Sequence, residues 1–222
     1  MIQNAGGEMI VMSLPQTIAR YTVEEYLALE RESEERHEFL DGQIYAMAGE
    51  SNEHADITVN LVVELASQLK GTPCRVWTKD SKVLSGPAIR SYKSIKGLFS
   101  YPDIVVVCGE PRFLDEHPDV LLNSTLLIEV LSPSTESFDR GEKFWRYRIH
   151  LASLTDYVQV SQALPLIEHF RRQENDRWIL TTVSEMTGSF SLESINCTLR
   201  MSEVYDRVTF PKEMPETAAS EQ

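Results

Sequence analysis

Apolar residues recur at helical spacing in the first half of the chain. Between residues 52 and 70 they return every fourth position, which defines one buried stripe of a long amphipathic helix, formed by Ile57, Leu61, Leu65 and Leu69. A shorter helix is predicted over residues 22–33, because Thr22 has the character of an N-cap and is followed by two acids. Helical composition also predicts a helix over residues 139–150 and a short helical turn over residues 201–206.

Two short runs of β-branched and aliphatic residues follow, IVVVC after Asp103 and LLIEVL from Leu126. Each has the length and character of a strand that is covered on both faces, so we expect both at the centre of a sheet. Alternation around Asp41-Gly42 predicts a hairpin. CRVWTKD and SKVLSG are expected as a further pair of strands, and DYVQV, LIEHFRR and RWILTTV as three more. Residues 86–100 have no clean period and are expected to form an exposed loop.

The order of these elements predicts one α/β domain. A chain of 222 residues can bury a sizeable core, yet it is short for two ordinary domains. We assign residues 17–210 to the domain, residues 1–16 to a flexible N-terminal extension and the polar residues 211–222 to a disordered tail.

Composition is that of an ordinary globular protein, with 42% hydrophobic and 25% charged residues. No apolar run approaches the roughly 20 residues of a membrane helix, and the N-terminus lacks the pattern of a secretory signal. We therefore expect a cytoplasmic protein without membrane association. The cysteines are odd in number and widely separated, so we expect three buried thiols rather than a disulfide framework or a zinc site, at Cys74, Cys108 and Cys197.

Charge is distributed unevenly along the chain. A net charge of −13 argues against a protein that coats nucleic acid, because such binding neutralises phosphates with Lys and Arg. Between Lys70 and Lys96, however, seven of the 21 basic residues occur with a single acid, Asp80. This stretch is either an ordinary solvated surface or a surface that faces phosphates, and the sequence leaves both interpretations open.

Two acids mark the predicted central strands. Pro102-Asp103 opens one strand, and Glu129 lies inside the other among aliphatic residues that cannot bury an ionised carboxylate without compensation. Because neighbouring strands lie about 4.8 Å apart, acids at matching height on one face can share a hard divalent cation such as Mg²⁺. The alternative is that Glu129 is hydrogen-bonded to a loop or paired with an arginine.

A series of short motifs carries a family resemblance. In chain order they are HEFLDGQIYAM, SNEHADI, YPDIVVV, LLIEVLSPST and DRGEKFWRY. Together, over residues 20–208, they resemble the Uma2 family of bacterial restriction endonucleases, a branch of the PD-(D/E)XK nuclease superfamily. The resemblance implies a restriction-endonuclease-like fold, which is a mixed central β-sheet flanked by helices. It also implies a divalent ion, Mg²⁺ or Mn²⁺, held by Asp103 and Glu129 together with a backbone carbonyl near Val130.

The sequence departs from the superfamily pattern at one position. Leu131 stands where the acid-x-Lys triplet has its lysine and shares a strand face with Glu129, so the strand itself offers no catalytic cation. The resemblance implies that Lys143, from the following helix, replaces that lysine. Lys143 comes four residues after Asp139, and the alternative is an exposed lysine that pairs with Asp139 on the helix surface.

Two further residues are candidates for the same site. Glu38 matches an acid that recurs near the site in the Uma2 family, and the alternative is a surface acid beside Arg36. His54 lies on the apolar stripe of its predicted helix, where a packed core histidine is the alternative to a catalytic base.

The resemblance implies hydrolysis of phosphodiester bonds. In that mechanism Lys143 would orient or help deprotonate the attacking water and stabilise charge on the phosphate, beside an ion held by Asp103 and Glu129. DNA is the expected substrate, single-stranded DNA or another phosphodiester is the alternative, and a homodimer is expected by analogy. A second class of function stays open because of Leu131 and the net charge: a catalytically inactive nucleic-acid-binding or interaction protein with the same fold.

Overall fold

The computed structural model describes residues 20–47, 49–87, 89 and 91–211. Numbered in chain order within those residues, the strands are β1 (His37–Leu40), β2 (Gln43–Ala46), β3 (Cys74–Thr78), β4 (Lys82–Ser85), β5 (Leu98–Ser100), β6 (Ile104–Cys108), β7 (Val120–Leu121), β8 (Leu126–Leu131), β9 (Asp156–Ser161), β10 (Ile167–Arg172), β11 (Trp178–Val183), β12 (Ser189–Leu192) and β13 (Cys197–Arg200). The helices are α1 (Val23–Glu32), α2 (Asn52–Gln68), α3 (Glu136–Phe138), α4 (Phe144–His150) and α5 (Met201–Val204), and a π-helical turn, Asp139–Lys143, joins α3 to α4. The predicted extension 1–16 and, apart from Pro211, the predicted tail 211–222 lie outside the described residues.

Local signals in the sequence are confirmed at the first helix and the first hairpin. The Thr22 hydroxyl accepts the Glu25 N–H at 3.2 Å, and the Glu25 carboxylate accepts the Thr22 N–H at 2.7 Å, which is a complete capping box for α1. The hairpin turns at Asp41 and Gly42, whose φ angles of 46° and 92° are the positive values that a two-residue turn requires.

The larger sheet has six strands in the order β11-β10-β9-β8-β6-β3. Strand β6 pairs antiparallel with β8, with Ile104 opposite Ile128, and β8 pairs parallel with β9, with Glu129 opposite Gln159. The two strands predicted at the centre of a sheet are therefore neighbours in a mixed sheet. Because Asp103 directly precedes β6, the antiparallel register brings it beside the part of β8 that carries Glu129.

The smaller sheet has five strands in the order β2-β1-β5-β4-β7. The prediction of an exposed loop over residues 86–100 is wrong at its end, because Leu98–Ser100 forms β5 and all three residues are buried. Strands β3 and β4 exist as predicted, but they pair within different sheets rather than with each other. The hairpin of β12 and β13 is an element that the sequence analysis did not predict.

The larger sheet is covered on both faces. Helix α2 packs on one face beside α5 and the β12–β13 hairpin, and its predicted stripe is buried at Ile57, Leu61, Leu65 and Leu69. On the other face, Phe144 and Tyr147 of α4 pack with Val83 and Leu98 of the smaller sheet against the larger one. Helix α1 covers the remaining face of the smaller sheet. No helix in the described part of the chain is long and apolar enough to cross a membrane.

Two of the cysteines form a disulfide bond. Cys74 on β3 and Cys108 on β6 are opposite each other in the strand register and are joined, whereas Cys197 is a buried free thiol. The prediction of three buried thiols is therefore wrong for Cys74 and Cys108. A separation of 34 residues conceals the pair in the sequence, because only the register of the sheet brings the two side chains together.

Candidate active site

One cavity of about 690 Å³ collects the candidate side chains. Glu38 reaches it from β1, His54 from the first turn of α2, Asp103 from the start of β6, Glu129 from β8 and Lys143 from the π-helical turn. The fold thus brings together all five side chains that the sequence singled out, although each comes from a different element.

Lys143 is surrounded by carboxylates. Its Nζ atom lies 3.1 Å from Glu38 Oε1, 3.3 Å from Glu129 Oε1 and 3.1 Å from Asp139 Oδ1. Lys143 is only 5% exposed, so the alternative of a solvated helical lysine is wrong, although the predicted contact with Asp139 is present. The two residues lie in a π-helical turn, a feature that is frequent at functional sites.

Glu129 is a carboxyl group with little access to water. It lies in the middle of β8, is 3% exposed, and accepts a hydrogen bond from the Tyr147 hydroxyl at 3.1 Å. Burial raises the pKa of Glu129 well above its ordinary value. The Lys143 charge lowers this pKa only in part, and the carboxylates of Asp139 and Asp103 raise it further. Glu129 is therefore protonated over a wider range of pH than an ordinary glutamate.

Lys143 keeps its charge in the same surroundings. Burial alone lowers the pKa of the ammonium group, but the neighbouring groups, led by Glu129 and Glu38, outweigh burial and raise the pKa well above its ordinary value. One ammonium group thus faces three carboxylates, and the cluster carries excess negative charge unless protons or another cation balance it.

Asp103 is held between strand β8 and helix α2. The Val130 N–H donates to Asp103 Oδ2 at 2.7 Å, and His54 Nε2 lies 3.3 Å from the same oxygen. On the other side of the ring, His54 Nδ1 lies 3.5 Å from Oε2 of Glu50, which directly precedes the cap of α2. Ligand atoms of Glu50, His54 and Asp103 all lie within 4.8 Å of one another, and within the described residues this is the group whose spacing suits a metal ion.

The predicted two-acid site is divided between two groups of contacts. Asp103 and Glu129 line the same cavity, but Asp103 contacts His54, whereas Glu129 contacts Lys143. Among the residues that the structure describes, Glu129 does not belong to the group spaced for a metal. Val130 contributes its N–H group to Asp103, and a role for its carbonyl as a metal ligand stays a prediction. The catalytic roles of the five candidates also stay predictions.

Three residues that contact the candidate side chains were not predicted from the sequence. Glu50 completes the group around His54, Tyr147 holds Glu129, and the Tyr101 N–H donates to Oε1 of Glu38 at 3.2 Å. Glu50 had a usable signal, because it comes four residues before His54 and can meet it across one helical turn. The two tyrosines reach Glu129 and Glu38 through tertiary packing, which no local spacing predicts.

Three basic residues of the stretch at 70–96 are in separate ion pairs, Lys79, Lys82 and Lys96. Lys82 is 5% exposed and lies 3.1 Å from Asp119, so it is removed from any surface that could face a phosphate. Lys79 contacts the Glu50 carboxylate at the cavity. These pairs favour structural roles for the three residues, and a phosphate-facing role for the rest of the stretch stays a prediction.

The chain is similar to known proteins in sequence and in fold. A family model described as "Uma2: Putative restriction endonuclease" matches residues 23–202. This chain belongs to the Uma2 family. The match includes Glu38, His54, Asp103, Glu129 and Lys143, and it confirms the resemblance that the sequence motifs carry.

Two proteins of Synechocystis sp. are similar to this Uma2 chain. The uncharacterized protein slr1290 is 32% identical over 202 residues, which cover 91% of this chain and 100% of the relative. The uncharacterized protein sll1609 is 30% identical over 170 residues, which cover 77% of this chain and 91% of the relative.

A solved structure from Anabaena variabilis has a similar fold. It is described as "a putative nuclease belonging to DUF820" and matches with a TM-score of 0.67 and 17% sequence identity, covering 85% of this chain and 99% of that chain. At that identity the likeness establishes the fold alone. It confirms the predicted α/β architecture of mixed sheet and flanking helices in this Uma2 protein.

Proposed function

We propose that this Uma2 protein is a nuclease that hydrolyses phosphodiester bonds in DNA with the help of a divalent cation. The observation that carries the proposal is the convergence of Asp103, Glu129 and the buried Lys143 on one cavity. Membership of a family described as restriction endonucleases supports the reaction class.

The donor atoms of the cavity fit a divalent cation. Carboxylate oxygens are the preferred ligands of Mg²⁺ and suit Mn²⁺ as well. The excess negative charge around Lys143 favours an added cation and disfavours a phosphate that arrives without one. We propose Asp103 and Glu129 as ligands, with the carbonyl of Val130 beside them. The carboxylates that line the cavity are those of Glu38, Glu50, Asp103, Glu129 and Asp139.

Each side chain has its own role in the proposed hydrolysis. A divalent cation held by these residues would polarise a phosphoryl oxygen and lower the pKa of a coordinated water. Asp103 is already oriented by the Val130 N–H, so it needs little reorganisation to serve as a ligand. The raised pKa of Lys143 favours a role as an ammonium group that stabilises charge on the phosphate over a role as proton acceptor. We assign Glu38, held by Lys143 and by a backbone N–H, to orienting the attacking water.

Charge also bears on the form of the DNA. The chain carries a net charge of −13, so a long duplex laid across its surface meets more repulsion than a single strand, whose charge density is lower. We therefore include single-stranded DNA and frayed ends among the proposed substrates. Cutting both strands of a duplex often uses two active sites, and a homodimer is proposed for that case. Sedimentation that finds monomer alone during duplex cleavage contradicts the dimer.

A cleavage assay tests the proposed function. Supercoiled plasmid and an end-labelled single-stranded oligonucleotide are incubated with the protein and either Mg²⁺ or Mn²⁺. We expect cleavage to fall by at least about 100-fold in Glu129→Gln and in Lys143→Met, because each removes a charge that acts on the transition state. Glu193→Gln, at an exposed carboxylate paired with Arg171, is the matched control and should cleave as the wild type.

Two outcomes of this assay contradict the proposal. Unchanged cleavage in Glu129→Gln removes the metal-site hypothesis. If the wild type cleaves neither substrate with either ion, the result favours the inactive nucleic-acid-binding protein, a function that Leu131 in the place of the strand lysine also favours.

A further inference from the structure

A set of metal-ligand atoms lies on the α2 side of the cavity, distinct from the carboxylates that contact Lys143. His54 Nε2 is 3.3 Å from Asp103 Oδ2, and His54 Nδ1 is 3.5 Å from Glu50 Oε2. When metal–ligand bonds measure about 2.1 Å, two ligands of one ion lie roughly 3.0 to 3.4 Å apart. These two contacts use opposite ring nitrogens of His54. One ring nitrogen and one oxygen each of Glu50 and Asp103 nevertheless lie within 4.8 Å of one another, so a small adjustment of the side chains gives the spacing of a chelating group.

An unsatisfied ring nitrogen of His54 indicates that this residue binds a ligand. The residue is 6% exposed, and its Nδ1 atom is buried without a hydrogen-bond partner among the described residues. Burial of a polar atom without a partner is unfavourable, and binding of a cation is one way to satisfy the ring. The backbone at this point is fixed, because the Ser51 hydroxyl accepts the His54 N–H at 3.1 Å and caps α2.

Asp103 and Glu50, the two acids of the set, differ in how they are held before an ion binds. The Val130 N–H orients Asp103 through a hydrogen bond of 2.7 Å. The Glu50 side chain is 24% exposed, so an ion can reach it from solvent. Lys79 contacts Glu50 from the turn after β3, and its ammonium group competes with any cation for that carboxylate.

The carboxylates around Lys143 are less suited than the set around His54 to be the first ligands of the ion. Glu38, Glu129 and Asp139 already share one ammonium group at 3.1 to 3.3 Å. The set around His54 instead contains an imidazole, which binds metals in its neutral form. The ion is therefore expected on the α2 side of the cavity, where Asp103 is available to both arrangements.

We propose that one ring nitrogen of His54 and one oxygen each of Glu50 and Asp103 bind a divalent first-row transition-metal ion in preference to Mg²⁺. Imidazole is a common ligand of transition metals, whereas Mg²⁺ selects sites made of oxygen atoms. The inference rests on the proposed function for the use of the ion in hydrolysis, whereas binding of the ion is measured without substrate. It adds Glu50 and His54 to the proposed ligands and names the class of the ion.

Calorimetric titration of the tag-free full chain with Co²⁺, Mn²⁺ and Mg²⁺ tests the class of the ion. We expect Co²⁺ to bind more tightly than Mn²⁺, and at least about tenfold more tightly than Mg²⁺. Pulsed EPR of the Mn²⁺ complex is expected to detect a directly bound ¹⁴N nucleus. Equal affinities for Co²⁺ and Mg²⁺, or a Mn²⁺ complex without ¹⁴N coupling, overturn the inference, and the spectrum needs no variant that has to fold.

His54→Gln keeps a polar side chain but removes the ring nitrogens. We expect this variant to lose the ¹⁴N coupling and to bind Co²⁺ at least about tenfold more weakly, since even the outer partners of metal ligands change affinity by about 10- to 100-fold. His117→Gln, at an exposed histidine beside Asp115, is the matched control and should bind the ion as the wild type does. Unchanged Co²⁺ affinity in His54→Gln contradicts the inference.

Lys79→Met tests whether Glu50 is a ligand through a change that should strengthen ion binding rather than weaken it. Loss of the competing ammonium group should strengthen Co²⁺ binding by about threefold or more, and weaker binding counts against Glu50 as a ligand.

The inference and the proposed function can fail separately. A wild type that binds Co²⁺ through nitrogen but cleaves no DNA overturns the function alone. Cleavage and metal affinity that both persist in His54→Gln overturn the inference alone.

Discussion

Two charge networks of this protein contain the same kinds of residue but differ in their balance of cations and acids. In the first, the surface network, Arg31 Nη2 lies 2.9 Å from Asp115 and 3.0 Å from Asp119, and Lys82 Nζ lies 3.1 Å from Asp119. That network has two cations for two acids. The second, the cavity cluster of Glu38, Glu129, Asp139 and Lys143, has one cation for three acids.

The pKa of an acid is lowered in the balanced network and raised in the unbalanced one. Burial raises the pKa of Asp119, but Arg31 and Lys82 outweigh burial and the net shift is downward. Burial also raises the pKa of Glu129, and there Lys143 does not outweigh it. We therefore expect the balanced charges to cost the fold little and the unbalanced charges to lower its stability.

The largest expected effect comes from removing the one cation of the cavity cluster. Lys143→Met should lower the free energy of unfolding at pH 8 by about 3 kcal/mol or more, because it leaves buried carboxylates without a counter-charge. Urea denaturation of the metal-free protein measures the loss.

Lys82→Met is the matched comparison for Lys143→Met. It removes an equally buried lysine, but Asp119 keeps its contact with Arg31, so the expected loss is smaller, about 1 to 2 kcal/mol. Equal losses in the two variants would show that the balance of charge makes no difference to stability.

The next effect is a pH dependence of the surface network. Asp119→Asn should lower the free energy of unfolding by about 2 kcal/mol at pH 7, because it leaves the buried Lys82 without its carboxylate. The folded-state pKa of Asp119 is lowered, so its contribution is present above the unfolded pKa of about 3.9 and is lost as pH falls through the lower folded value. Thermal unfolding of wild type and variant between pH 2 and 7 should show curves that converge in acid, and a constant difference contradicts the assignment.

The fold was predictable from sequence wherever the signal was local. The stripe of α2, the Asp41-Gly42 turn and the runs IVVVC and LLIEVL each contain their own period or turn chemistry. Strand β5 was missed because three buried residues follow a stretch rich in Lys, Ser and Gly. The β12–β13 hairpin did carry a signal, since Phe190, Leu192 and Leu199 alternate with polar residues, and its shortness concealed it.

Part of the membership of the candidate site was predictable, but its contacts were not. Family motifs and strand chemistry selected Asp103, Glu129 and Lys143, and all three line one cavity. The pairing of Asp103 with His54 depends on how α2 packs across the sheet, which no spacing along the chain encodes. The same holds for Tyr147, whose hydroxyl reaches Glu129 from a different element.

The smallest expected effect is also the one that separates the two networks most directly. Glu129→Gln should raise the melting temperature of the metal-free protein at pH 8 by roughly 2–4 °C, which corresponds to about 1 kcal/mol in a chain of this size. The folded-state pKa of Glu129 is raised, so the stability that it contributes is present below the unfolded pKa of about 4.3 and is lost as pH rises through the folded value. The advantage of the variant should therefore vanish near pH 4.

The corresponding change in the surface network, Asp119→Asn, lowers stability instead, so the same substitution of an acid by its amide has opposite signs at the two places. A divalent cation should reverse the order at the cavity, because only the wild type offers it a carboxylate at residue 129. If Glu129→Gln lowers the melting temperature with and without the cation, Glu129 is a structural partner of Lys143, and its excess charge is not reserved for a ligand.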